Sequence, residues 1–176
     1  MDPITFRCSC CGRVITGLPD LAYDAPAHYH QLPEPERTAR ARLSSDLCTI
    51  DGEDHFVRGV CLLPVQGSDQ TFGFGVWVSL SPENFRRYAE TFEDDDQSKL
   101  GTLFGWFCNR IPSYPDTVNL QTAVVPQDLR ARPQIWIGAA HADHPLYIEQ
   151  QTGITKKRLG KIYASEVCDR RPKGDG

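Results

Sequence analysis

The run Thr-Phe-Gly-Phe-Gly-Val-Trp-Val-Ser-Leu at residues 71–80 decides the fold class of this chain. Large apolar side chains occupy every second position, which is the period of a β-strand with one face in a core. Residues 55–65 form another run, with apolar side chains on both faces. Residues 46–51 alternate apolar and polar side chains. Because only short connections join the three runs, the sequence predicts an antiparallel meander.

Further strands and two helices extend this core. Strand-like runs follow at residues 102–109, 120–126 and 133–139. A Ser-Pro-Glu start predicts a helix over 82–92, and a capping Thr predicts a last helix over 155–168. We therefore expect an α+β fold with an antiparallel sheet of five or six strands, flanking helices and an N-terminal turn resembling a zinc knuckle.

The chain of 176 residues fits one domain, and a domain of this size buries enough surface to fold without disulfides. We expect this single domain to span residues 1–168. It contains a knuckle at 6–20, a sheet core at 46–139 and the C-terminal helix at 155–168. Residues 169–176 are polar with Gly and Pro, which predicts a flexible tail.

Composition and charge argue against some classes of partner and predict the cellular compartment. The net charge of −4 is opposite to that of a broad nucleic-acid surface, so we expect no nucleic-acid partner. No apolar run reaches about 18 residues, and the N-terminus lacks the features of a signal peptide. These features predict a cytoplasmic protein without a membrane span. In a reducing cytosol, its seven cysteines are expected to be thiols or metal ligands.

A candidate zinc site begins the chain, where residues 6–13 read Phe-Arg-Cys-Ser-Cys-Cys-Gly-Arg. Cys8 and Cys11 have the C-x-x-C spacing of half a structural zinc site, which needs four thiolate or imidazole ligands. We predict Cys48 as the third ligand. The fourth is left open among Cys10, Cys61, His28 and His30. The alternative is that these cysteines are reduced thiols without a metal.

A second candidate metal site is the loop His141-Ala-Asp-His144, in which two imidazoles could share one ion. Such a site, or a zinc ion with an open position that acidifies bound water, would support a metal-dependent hydrolase. The alternative is structural: Asp143 caps the helix that begins at Pro145, and His144 packs or faces water.

Three weaker patterns are candidate interaction surfaces. The tryptophans at 77, 106 and 136 could line a groove, or could be core residues. The acidic run at 93–96 could hold a cation, or could be a solvated loop. The basic C-terminal residues could meet an acidic partner, or could form the wet face of an amphipathic helix; they are Lys156, Lys157, Arg158, Lys161, Arg170, Arg171 and Lys173.

Short motifs along most of the chain add a resemblance. They are C-x-x-C-G at 8–12, SSDLC at 44–48, FVRG at 56–59, GVWVSLS at 75–81, FGW at 104–106, YPDT at 114–117, DHPL at 143–146, EQ at 149–150 and GIT at 153–155. Together they resemble the bacterial family catalogued as domain of unknown function 2199. The resemblance implies a one-domain, cytoplasmic, bacterial protein and brings no activity with it. It also implies a His soon after Cys-Gly, where this chain has Val14, Ile15 and Thr16.

These observations lead to two hypotheses about function. The first is a non-enzymatic binding or interaction module with a structural zinc site and a protein partner; one form of it is an immunity protein for a bacterial toxin. The second is a metal-dependent hydrolase that uses His141 and His144 or an open zinc position.

Overall fold

A computed structural model describes residues 2–168, in which ten strands and five α-helices are present. The strands are β1 (Thr5–Arg7), β2 (Val14–Thr16), β3 (Leu21–Ala22), β4 (Ala41–Leu43), β5 (Leu47–Ile50), β6 (Asp54–Pro64), β7 (Thr71–Leu80), β8 (Leu103–Phe107), β9 (Gln121–Val125) and β10 (Gln134–Ile137). The helices are α1 (Ala27–Gln31), α2 (Glu34–Arg40), α3 (Pro82–Glu90), α4 (Pro145–Thr152) and α5 (Lys156–Tyr163). The predicted flexible tail, residues 169–176, lies outside the described residues.

The main sheet has eight strands in the order β3-β7-β8-β9-β10-β6-β5-β4, and β6 also pairs with β7. Strands β6 to β10 therefore close on themselves like a small barrel. The pairs β6–β7, β7–β8, β8–β9 and β9–β10 are antiparallel, whereas β10 meets β6 in parallel at Gln134 and Val60. A separate hairpin consists of β1 and β2.

The mixed sheet corrects the predicted plain antiparallel sheet of five or six strands. When each of five strands runs antiparallel to the one before, the first and the last point the same way, so closing the ring forces one parallel pair. A second parallel pair joins β3 to β7. Closure also needs a close approach: a Cβ on Gly59 would lie 2.7 Å from the Pro133 carbonyl oxygen and 2.6 Å from Ile135 Cδ1.

Both faces of β7 are covered. Phe72, Phe74, Val76 and Val78 are fully buried in the larger core, as their alternation predicted. On the opposite face, Trp77 is fully buried in a smaller cluster with the side chains of Cys48, Ile50, Phe56 and Cys108. β7 therefore has the two-sided burial of a central strand.

The two longest predicted helices are present and begin at the predicted caps. The Ser81 side chain accepts a hydrogen bond from Asn84 N at 3.2 Å and starts α3. Thr155 does the same for Arg158 N at 3.0 Å and starts α5, which continues into a π-helical turn at Ala164–Cys168. No helix within residues 2–168 is long and apolar enough to cross a membrane.

Candidate metal centre

The candidate metal centre begins in the turn of the β1–β2 hairpin, residues 8–13, which we call the cysteine turn. Pairing of Arg7 with Val14 places Cys8 at the end of the hairpin. The turn is closed by backbone hydrogen bonds from Cys8 N to Arg13 O at 2.9 Å and from Gly12 N to Cys8 O at 3.0 Å. Gly12 has φ +69°, a conformation that glycine adopts without strain.

Helix α5 packs against this hairpin at very short range. Ser9 N donates to Gly160 O at 3.2 Å, and a Cβ on Gly160 would lie only 2.1 Å from Arg7 O. The rings of Phe6 and Tyr163 meet edge to face with centroids 5.8 Å apart. Because α5 lies this close, the turn that follows it brings Cys168 to the cysteine turn.

Three cysteines from the two ends of the chain meet there, and we call Cys8, Cys11 and Cys168 the thiol cluster. Their sulfur atoms all lie within 4.8 Å of one another. Tetrahedral zinc with Zn–S bonds of about 2.3 Å holds sulfur atoms about 3.8 Å apart, so a small inward movement suffices for coordination. The cluster can therefore hold a soft divalent metal ion.

The thiols already perturb one another. The backbone at Arg13 and the Cys8 side chain lower the pKa of Cys11 through hydrogen bonds. The neighbouring thiol of Cys10 raises the pKa of Cys168 to about 12, with smaller contributions from burial and from Cys11. Cys10, one of the predicted options for the fourth ligand, is an exposed free thiol of the cysteine turn and is not one of the three cysteines whose sulfur atoms lie within 4.8 Å of one another.

The structure brings Cys8 and Cys11 together with Cys168 rather than with Cys48, the predicted third ligand. The Cys48 side chain points inward from β5, is 1% exposed and packs against Phe56 and Trp77. Burial raises the pKa of Cys48 to about 11, and Cys48 belongs to no group of possible metal ligands found within residues 2–168. The sequence signal for Cys168 was only its position at the end of the last predicted helix.

The other predicted options for the fourth ligand lie outside the thiol cluster. Cys61 is fully buried in the larger core. The His28 ring packs on Phe56 with centroids 5.1 Å apart, and His30 Nε2 lies 3.2 Å from the Asp24 carboxylate. None of these side chains joins Cys8 and Cys11 in the group of possible ligands found within residues 2–168.

The two histidines of the 141–144 loop accept hydrogen bonds from backbone N–H groups. His141 Nε2 accepts from Gln121 N at 3.0 Å, and His144 Nδ1 accepts from Leu146 N at 3.1 Å. Because a backbone N–H can only donate, each of these nitrogens must use its one lone pair here, and a neutral imidazole has no other. The residue that caps α4 is therefore His144 itself, where the sequence suggested Asp143.

Comparison with known proteins gives the family of the chain. A family model described as "Uncharacterized protein conserved in bacteria (DUF2199)" matches residues 7–154. The chain belongs to the DUF2199 family. The match includes Cys8 and Cys11 and ends before α5 and Cys168. No curated protein and no solved structure matches the chain.

Some motifs that suggested DUF2199 from the sequence have structural roles. The Glu149 carboxylate accepts from Tyr114 Oη and from Arg158 Nε, the latter at 2.7 Å. The Arg158 guanidinium lies 4.7 Å from the centre of the Tyr114 ring. Burial, first of all, raises the pKa of Tyr114, so its hydroxyl stays protonated as a donor. This group joins α4, α5 and the loop at 111–119 in the DUF2199 fold.

The contacts of the tryptophans and of the acidic run argue against both as binding surfaces. Trp77 is fully buried, so the three tryptophans do not share one exposed groove. Trp106 is exposed and meets Phe104 edge to face at 5.2 Å. In the acidic run, Glu93 and Asp95 pair with Arg130, and Asp96 lies 3.8 Å from Lys99 Nζ. These ion pairs are typical of a solvated, self-neutralising loop.

Two buried thiols predict how stability depends on pH. Burial raises the pKa of Cys61 and of Cys108 to about 12, whereas in the unfolded chain both ionise near pH 9. The folded state thus keeps protons that the unfolded state releases, so the free energy of unfolding should fall as pH rises from 9 towards 12. At pH 10 each thiol should lower it by about 1 kcal/mol.

Urea denaturation at about pH 8 and about pH 10 measures this fall. The variant with Cys61→Ala and Cys108→Ala is the control, because it lacks both groups. Its own loss between the two pH values should be smaller by about 3 kcal/mol. An equal loss in both proteins would show that these thiols do not carry the effect.

Proposed function

We propose that this protein is a non-enzymatic binding module in which a structural zinc ion joins the cysteine turn to the end of α5. The observation that carries the proposal is the thiol cluster itself. Cys8, Cys11 and Cys168 come from opposite ends of the chain, yet their sulfur atoms lie within 4.8 Å of one another. A metal ion can displace the thiol protons and be shared by the three sulfur atoms, so a cluster of this kind favours a bound metal.

The chemistry of the ligands favours zinc in a structural role. Three or four thiolates are the donor set of structural zinc sites, which have no open position for substrate. Cys10, in the same turn as Cys8 and Cys11, is the thiol that could close the set at four. A metal that bridges the two ends would also add to stability, because the unfolded chain offers no preformed site.

The alternative, a metal-dependent hydrolase, has no observation in its favour. The lone pairs of His141 Nε2 and His144 Nδ1 are already used by backbone donors. The buried thiols of Cys61 and Cys108 have raised pKa values, so they are poor nucleophiles near neutral pH. The immunity-protein form of the binding hypothesis has a separate and simple test, namely a toxin gene beside the gene for this chain.

Metal content tests the site directly. Protein purified without added metal should contain about one zinc ion per chain by elemental analysis, as expected for a single four-ligand site. The variant Cys168→Ser should retain well under half of that amount, because it removes the ligand that comes from the far end of the chain. Less than about a tenth of a zinc ion per folded wild-type chain would contradict the proposal.

Two further variants make this experiment specific. Cys48→Ala removes a buried thiol outside the thiol cluster, so it should keep the full zinc content even if it lowers stability. Cys10→Ser separates a closed site from an open one: loss of zinc affinity indicates four thiolates, and unchanged affinity indicates three. If Cys48→Ala lost zinc and Cys168→Ser kept it, the ligand set would be wrong.

A further inference from the structure

A cavity of about 520 Å³ opens beside the thiol cluster, between the cysteine turn and α5. Four cationic side chains line it: Arg7, Lys156, Lys157 and Lys161. Cys8 and Gly12 of the cysteine turn contribute to its wall. We call this feature the cationic cavity. Its charge contrasts with the net charge of −4 of the whole chain.

Within residues 2–168, the cations of this cavity have no carboxylate partners. None of the four forms an ion pair with an Asp or Glu of the part of the chain that the structure describes. Arg158, on the same helix, shows the contrast, because its Nε lies 2.7 Å from Glu149. Arg7 is held over the cysteine turn by a hydrogen bond of 2.9 Å from its Nη1 to Gly12 O. The unpaired charges therefore come from two elements in fixed relative positions.

The three lysines of the cavity lie where they weaken α5, the helix that carries them. Lys156 and Lys157 occupy the first turn of α5, which contains no acidic residue, and positive charge at a helix N-terminus opposes the macrodipole. Lys157 and Lys161 are four residues apart, so two like charges are neighbours on the helix surface. Both arrangements reduce helix stability, and a bound anion would reverse both effects.

We propose that the cationic cavity binds a carboxylate-rich segment, one with several Asp or Glu side chains, of a protein partner. This inference rests on the proposed function, since it names the partner of that binding module and uses the cysteine turn as a wall. Carboxylates can pair with the lysines and with Arg7. The Thr155 side chain accepts from the first-turn N–H of Arg158, whereas the N–H groups of Lys156 and Lys157 have no intrahelical acceptors and are further donors at this end of the cavity.

A protein segment fits the charge distribution better than a nucleic acid. A polyphosphate backbone needs cations along an extended track. It would extend beyond this cavity onto the surface of a chain that is acidic overall, where it would be repelled. A short acidic segment of a protein can be confined to the cationic cavity. Steering by such a field should also make binding fast and sensitive to salt.

The test uses the protein as purified and a fluorescein-labelled hexapeptide of alternating Asp and Glu, with fluorescence anisotropy as the readout. We expect salt-dependent binding that becomes about tenfold weaker when Lys156→Gln, Lys157→Gln and Lys161→Gln are combined. The matched control combines Arg86→Gln, Lys99→Gln and Arg110→Gln, three exposed cations elsewhere, with the same change of net charge. It should change the affinity less than about twofold.

Several results would overturn the inference. They are no binding by the wild-type protein, equal weakening in the control, equal binding of the Asn/Gln version of the peptide, and equal or tighter binding of a single-stranded DNA hexamer. Zinc content measured on the same samples separates the two proposals. Zinc without peptide binding contradicts the cationic cavity alone, and peptide binding without zinc contradicts the metal centre alone.

Discussion

Replacing Gly160 by alanine should destabilise the protein by about 2–3 kcal/mol, although helix propensity alone predicts the opposite sign. In an exposed helix, Gly→Ala gains up to about 1 kcal/mol. Here the new Cβ would lie 2.1 Å from Arg7 O, and that atom belongs to the backbone of β1 rather than to a side chain that can rotate away. Helix α5 and the hairpin must therefore separate.

The same substitution should weaken zinc binding, because the separation moves Cys168 away from Cys8 and Cys11. Urea denaturation gives the change in stability, and competition with a zinc chelator gives the change in affinity. Lys161→Ala, at the exposed next position of α5, is the control and should stay within about 0.5 kcal/mol of wild type. A Gly160→Ala protein as stable as wild type would contradict the close packing of α5 on the hairpin.

The strands of the barrel were predictable, but their closure was not. Alternation located β7 within residues 71–80, and similar runs located β5, β6, β8, β9 and β10. Periodicity reports which side chains face a core, and it carries no information on which edges pair across long sequence separations. The approach of β10 to β6 depends on Gly59, and in the sequence that glycine looks like any residue inside a strand.

Half of the candidate metal centre was predictable for a related reason. Cys8 and Cys11 are close in sequence, and the C-x-x-C spacing itself implies that they can share an ion. Cys168 reaches them only because α5 packs on β1, which is a tertiary contact. The position of Cys48 after a turn predicts a ligand, but the pleat of β5 turns its side chain into the core.

The packing of α5 on the hairpin links the two proposals. The contact between Gly160 and Arg7 brings Cys168 to the thiol cluster and also places the lysines of α5 across from Arg7. A metal ion in the cluster would hold the wall of the cationic cavity in place. Loss of zinc should therefore weaken binding of the acidic peptide, even though no zinc ligand carries a positive charge.

Replacing Gln150 by leucine should lower the free energy of unfolding by about 3 kcal/mol. Strand β10 meets β6 through a single residue pair, so few backbone hydrogen bonds hold the parallel junction of the barrel. Gln150 of α4 joins the two strands: its Oε1 accepts from Ile137 N of β10 at 2.8 Å, and its Nε2 donates to Ile135 O of β10 at 2.9 Å and to Cys61 Sγ of β6 at 3.3 Å. The side chain is 3% exposed, so water cannot replace it.

Leucine has nearly the same size as glutamine, so the loss comes from polar groups rather than from volume. It leaves a buried N–H and a buried C=O of β10 without partners, at about 1–3 kcal/mol each. Urea denaturation measures the effect, and Gln151→Leu, at the exposed neighbouring position, should change stability by less than about 0.5 kcal/mol. If the two variants were equally stable, β10 would not depend on α4 for these bonds. Gln150 therefore stabilises the contact between β10 and β6, which is the only parallel pair within the ring of β6 to β10.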